Sequence, residues 1–298
     1  MNFFKFLDKL NKNEDSLILY CLLDRVPVVV LGDNNNKIDQ FLVDLSELIH
    51  FRKEYVFYTD FISNNEYNNL ILNENMDYNS QRVHIRCPCN VSRKAISQIE
   101  NLNSWIIGMT IPIQKEHIDF LKKIIKKKTK KCLFIIFSLD KIYVETEGIE
   151  SKLIDLTLEQ NIFKKISQDT EKAIAKMKRV LSEKIKSNQL EKDLIKTLLD
   201  FEIEKEELKK NIFKREIQNF YSGSKRAYFI LSRLSLLNNV AITTTIGSRT
   251  LLETIDYEEA NIARILSFIH KEWGENFFNI LENGKKSFIG DKIVSLWG

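Results

Sequence analysis

Val26–Leu45 reads "VPVVVLGDNNNKIDQFLVDL", an apolar run, a polar turn and an amphipathic segment in immediate succession. Val28–Leu31 is a continuous, largely β-branched stretch, as expected of a strand covered on both faces. Phe41, Leu42, Leu45, Leu48 and Ile49 then recur at helical spacing. Between them lies Gly32 followed by Asp and three Asn, ordinary turn chemistry. Strand, turn and helix at the start of a chain decide the fold class, because the downstream residues repeat the pattern.

Upstream, Asp15 or Ser16 can cap a helix through "LILYCLLD", which Pro27 ends as it opens the strand. Downstream, strands are predicted at 54–61, 82–87, 105–111 and 132–138, with 141–145 pairing beside the last or lying at the sheet edge. Helices are predicted at 91–102 and 114–129, and the Asn-rich stretch 64–80 reads as an exposed excursion. Strand alternating with helix predicts an α/β domain over residues 1–150, a mostly parallel three-layer sheet with helices on both faces. Residues 151–298 carry little strand signal and predict an α-helical domain. Ile174, Met177, Leu181 and Ile185 form one helical stripe, and Leu190, Leu194, Leu198, Leu208, Ile212 and Ile217 a second. The pair predicts a long helical hairpin over about 170–221, broken at Gly223, followed by a helical bundle over 224–298 with helices at 224–237, 245–255 and 257–274.

Composition is that of a globular chain: 298 residues, 44% hydrophobic and 29% charged, with only 9 Gly and 3 Pro, which predicts few loops and long helices. The net charge of +4 is too small to argue for nucleic acid by itself. Cys21, Cys87, Cys89 and Cys132 lie in or beside apolar runs and suggest no disulfide framework, which fits a reducing cytoplasm. The opening "MNFFKFLDKLNKNED" is too short in its apolar run and too charged for a signal peptide, and no uninterrupted apolar run approaches a membrane span.

A working phosphate-binding loop has the form G-x-x-x-x-G-K-[ST], in which glycines let backbone N–H groups face phosphate, Lys neutralises charge and the hydroxyl binds Mg²⁺. Aligned on Gly32, this sequence has Lys37 at the second glycine, Ile38 at the lysine and Asp39 at the hydroxyl. Moved by one residue, Lys37 meets the lysine but Asn36 stands for glycine and Ile38 for Ser/Thr. Asp60, closing "YVFYTD", has the form of the strand-end acid that such an enzyme needs; Asp140 is a weaker candidate. With its helical segment following, the layout resembles P-loop ATPases of the AAA+ and related (ASCE) groups, and the motif is incomplete. The resemblance implies ATP and Mg²⁺ as cofactors, with Gly32, Asn36, Lys37 and Asp60 as the nucleotide-binding candidates. The missing residues point to a catalytically degenerate adaptor or regulatory protein that contacts a protein or nucleic-acid partner. An active ATPase using Lys37 and Asp60 is the alternative. The dinucleotide motif G-x-G-x-x-G is absent.

Three other stretches bear on chemistry. "HIRCPC" brings His84, Cys87 and Cys89 together, but structural zinc needs four ligands, and the two cysteines read as core residues sharing one strand face. Residues 112–131 carry eight Lys against Glu116 and Asp119, a net of +6 that exceeds the whole-chain excess. Lys122, Lys123, Lys126 and Lys127 there are candidate nucleic-acid contacts. Lysines without interleaved aromatics favour phosphate contact over base stacking. Lastly, residues 224–255 read as two helices joined by a short turn, a helix-turn-helix-like arrangement for a DNA-associated regulator, with Arg233 and Arg249 as contacts.

Overall fold

The computed structural model describes residues 10, 12–57, 63, 65–69, 82–98, 103–138, 141–150, 154–184 and 202–282. Helix α1 (Lys12–Leu23) leads into β1 (Val28–Gly32), whose five residues are all buried, and then into α2 (Asn35–Glu47). β2 (Lys53–Val56), β3 (Val83–Cys87), α3 (Ser92–Gln98), β4 (Trp105–Thr110), α4 (Lys115–Lys128), β5 (Cys132–Ser138) and β6 (Lys141–Glu147) complete the sheet region. The strand order is β2-β3-β4-β1-β5-β6, parallel except for β6, which runs antiparallel to β5 along the edge. This is a mostly parallel α/β sheet, with the apolar run Val28–Leu31 at its centre because neighbours on both sides satisfy its backbone.

The alternation of side chains splits the core into two. Val29, Leu31, Ile85, Cys87, Ile107 and Phe134 pack under α3 and α4 on one face. Val28, Val30, Ile106, Leu133 and Ile135 face α1 and α2 on the other. That second cluster continues without interruption into the later helices: α5 (Thr157–Lys184), α6 (Glu202–Asn239), α7 (Ser248–Thr254) and α8 (Ile262–Trp273). A small parallel pairing of β7 (Ile246–Gly247) with β8 (Leu281–Glu282) closes the helical part.

Several expectations change. β2 occupies Lys53–Val56, and residues 58–61 of the strand expected at 54–61, Asp60 among them, lie outside the described residues. Gly223 does not break a helix: α6 runs through it for 38 residues. A side chain there would bring its Cβ to 3.0 Å from the Ile255 carbonyl, so the glycine serves close packing rather than termination. α5 starts at Thr157, ahead of the expected stripe, and buries Leu158, Ile162 and Ile166, while Met177 of that stripe is 47% exposed. α5 and α6 pack together through Phe163 and Phe213 (centroids 5.5 Å apart), and the turn expected between them falls outside the described residues. Strand pairing at Ile246–Gly247 delays the helix expected from 245 until Ser248, and the last one starts at Ile262, capped by the Asn261 side chain on the Ala263 N–H.

Candidate functional site

The chain leaves β1 toward β2 through α2 on one face, and leaves β4 toward β5 through α4 on the other. Open α/β sheets bind ligands at such a reversal point, outside the carboxyl ends of the two strands. Here that point lies between Gly32 and Thr110, which pair in register. Only Asp33 and Asn34 separate β1 from α2. Asn34 is the N-cap, and its side chain accepts from the Lys37 N–H at 3.0 Å. The Ile38 N–H already bonds the Asn34 carbonyl at 3.1 Å.

Ile38, 1% exposed, folds down onto the sheet ends. A Cβ on Gly32 would stand 3.2 Å from the Ile38 Cδ1, and one on Gly108 only 2.7 Å from its Cγ2. The glycines thus make room for Ile38. Asp39 accepts from the Cys89 N–H at 2.9 Å and so holds the β3–α3 turn, and Asn35 meets the Thr110 hydroxyl beside it. Burial, with Asp39 nearby, pushes the Cys89 thiol up to about 12, so no thiolate is available there. Asn36 and Lys37 are exposed on the first turn of α2. The structure therefore brings Gly32, Asn36 and Lys37 to one sheet end, and Asp60 lies outside the described residues.

His84 and Cys87 point to opposite faces, and Pro88 turns the chain so that Cys89 packs against the other cluster from Cys87. The shared face expected for the two cysteines is corrected accordingly, since the strand ends at Cys87. Among the described residues no group of three potential ligands could hold a metal, and all four cysteines are free.

The lysines lie on α4, anchored by Leu121 and Ile125. Lys122 is paired with Glu145 of β6, and Lys126 lies 3.8 Å from Glu147, so part of the positive charge is offset by the sheet edge. Lys123 and Lys127 are exposed, with no ion pair among the described residues. Arg233 is exposed on α6 in a stripe with Phe229, Leu236 and Val240, which are 51%, 60% and 66% exposed. Arg249 bonds Glu253 one turn along α7 at 2.9 Å. α7 has seven residues with Leu251 and Leu252 buried, leaving a short outer surface.

Two features escaped the sequence reading. Arg82, which immediately precedes β3, and His84 and Arg86 within it follow the strand's alternation and are all buried. The His84 Nε2 lies 2.6 Å from the Ser46 hydroxyl, and Arg86 donates to Glu54 at 2.8 Å. Burial opposes ionisation of Glu54, yet hydrogen bonds from His84, Arg86 and Ser46 outweigh it and hold the carboxyl well below its usual range. Ser46 also donates to Glu54, so hydroxyl and acid meet at the same ring nitrogen. A nucleophile relay places the acid on the other nitrogen, and Ser46 is 6% exposed; the cluster is a structural network with Glu54 at its outer end. Its signal was the alternation Arg-x-His-x-Arg at a strand's period of two. The second feature is a polar cleft of about 770 Å³ between α5, α6 and the α7–α8 turn. Lys165 bonds the Asp256 carbonyl at 2.8 Å and lies 3.9 Å over the Tyr257 ring, while Tyr257 donates to the buried Glu216 at 3.2 Å.

Comparison with protein-family models, curated proteins and solved structures found no significant match.

Proposed function

We propose that the chain is a P-loop-like adaptor without nucleotide turnover, which contacts a protein or nucleic-acid partner. The observation that carries this reading is the filled reversal point between β1 and β4. A phosphate cradle needs a loop of free N–H groups with glycines beneath it. In this chain the connection is two residues long, the Asn34 side chain occupies the Lys37 N–H, and the Ile38 side chain fills the space above Gly32 and Gly108. Lys37 remains exposed at the rim, and the positions that follow it in the chain, Ile38 and Asp39, supply no hydroxyl for a metal. The basic stretch 112–131, which contains α4, supports the nucleic-acid side of the reading, because its net charge of +6 exceeds the +4 of the whole chain.

Phosphate release from Mg²⁺-ATP by the purified protein tests it. Release indistinguishable from a buffer control is the expected result. Turnover that disappears in Lys37→Ala would replace the adaptor with an active ATPase.

A further inference from the structure

The exposed surface of α4 is not made of lysine alone. Phe120 is 66% exposed, as far out as any large apolar side chain among the described residues. At 100° per residue, Phe120, Lys123 and Lys127 fall within an arc of about 60°. That arc lies on the far side of the helix from Leu121 and Ile125, which are 7% and 0% exposed. The expectation of lysines without an interleaved aromatic is thereby corrected. The sequence run hides the pairing, because Phe120 stands outside the lysine cluster in the chain and joins it only around the helix.

The setting is asymmetric in charge. α4 is held on the sheet by its apolar face, and Lys128 reaches toward the Ser97 carbonyl of α3 at 3.5 Å. Arg93 and Lys94 are exposed on α3 as well. On the opposite flank Lys122 and Lys126 face Glu145 and Glu147, so the lysines without an ion pair, Lys123 and Lys127, are on the arc that carries Phe120, with Asp119 one turn before Lys123 at its border. Glu116 is the one acid on that arc.

We infer that α4 is a binding platform for single-stranded nucleic acid, with Phe120 as the stacking surface for a base and Lys123 and Lys127 as phosphate contacts. This rests on the nucleic-acid side of the adaptor reading and narrows it. Single strands are bound where cations track the backbone and an aromatic ring meets an unstacked base. In an intact duplex the bases are stacked on one another, and an outward ring on a convex helix has no face to meet. A lipid surface would call for several apolar side chains on the outer arc, and only Phe120 is there.

Fluorescence anisotropy of a short labelled oligothymidylate, a hairpin duplex of similar length and vesicles of anionic phospholipid tests the inference across a salt series. The oligothymidylate should bind tighter than the hairpin, with log affinity falling against log salt at a slope of about −1.4 if Lys123 and Lys127 each displace a counterion. Phe120→Ala should weaken the single strand about 5- to 150-fold and leave the hairpin unchanged, and Phe120→Trp should restore it. Lys123→Glu with Lys127→Glu should weaken both. Circular dichroism of each variant should match the parent, since all three side chains are exposed. If Phe120→Ala binds the single strand as the parent does while the lysine variant loses both nucleic acids, the single-strand inference falls and the nucleic-acid reading stands. If the parent binds neither nucleic acid at low salt, or binds only the vesicles, both fall.

Discussion

Arg52→Met tests how the sheet is tied to the later helices. Arg52 and Glu272 form an ion pair at 2.8 Å with side chains 0% and 2% exposed, joining the start of β2 to the end of α8. The same guanidinium donates to the Leu22 carbonyl at 2.7 Å and the Leu23 carbonyl at 2.8 Å, closing the last turn of α1. Removing the cation leaves the Glu272 carboxylate buried without its partner, which costs about 3–5 kcal/mol. Two carbonyls lose their donor in addition, about 1 kcal/mol more. No discount for solvent screening applies at this depth, so the expected loss is about 4–6 kcal/mol. For 298 residues the unfolding entropy is about 0.6 kcal/mol per degree, which places the fall in Tm at about 6–10 °C. Thermal unfolding followed by circular dichroism reads it directly. The double variant Arg52→Met/Glu272→Met should recover part of the loss, because it leaves no lone charge. A single variant within about 2 °C of the parent would show that the pair is not the tie described.

Gly108→Ala should destabilise by about 1–3 kcal/mol, because its Cβ would stand 2.7 Å from the Ile38 Cγ2 and 2.8 Å from the Leu42 Cδ1. Pairing it with Ile38→Ala should cost less than the two separate losses combined, and simple additivity in urea unfolding would contradict the packing. Acid should weaken the fold in two stages. Burial lowers the His84 pKa from its ordinary 6.5 against the pull of Glu54, so the unfolded chain binds the proton more readily. Stability from this group is complete above about pH 6.5 and is lost as pH falls through that value toward the folded pKa. Glu54 adds a second loss below about pH 4.5, since its folded pKa is depressed. Tm measured across this range should decline on acidification, with the upper part of the slope missing in His84→Asn; a flat profile in the parent would contradict both signs.

Much of the sheet was legible because its strands are buried on both faces and so read as continuous apolar runs. Val28–Leu31, "WIIGMT" and "CLFIIFS" each became a strand within a residue or two of the expected bounds. α4 was legible from its amphipathic spacing, and its apolar side is the one that meets the sheet. Gly223 was misread because helix propensity is local, whereas the reason for that glycine is Ile255, which arrives from another element. The buried Arg52 and Arg82 were out of reach for a similar reason. Their shared partner, Glu272, lies 220 and 190 residues away in the chain, and no local pattern announces it. At the candidate site, the sequence revealed which phosphate-loop residues were missing. It did not reveal that Ile38 fills the place they would serve, since that depends on the approach of β4.

The most direct measurement of that closed site is a calorimetric titration of Mg²⁺-ATP into the intact protein, run beside Lys37→Ala. The filled reversal point predicts the same small dilution heats for both proteins. Saturable heat in the parent that vanishes in Lys37→Ala would contradict it, by showing that the turn opens to hold phosphate.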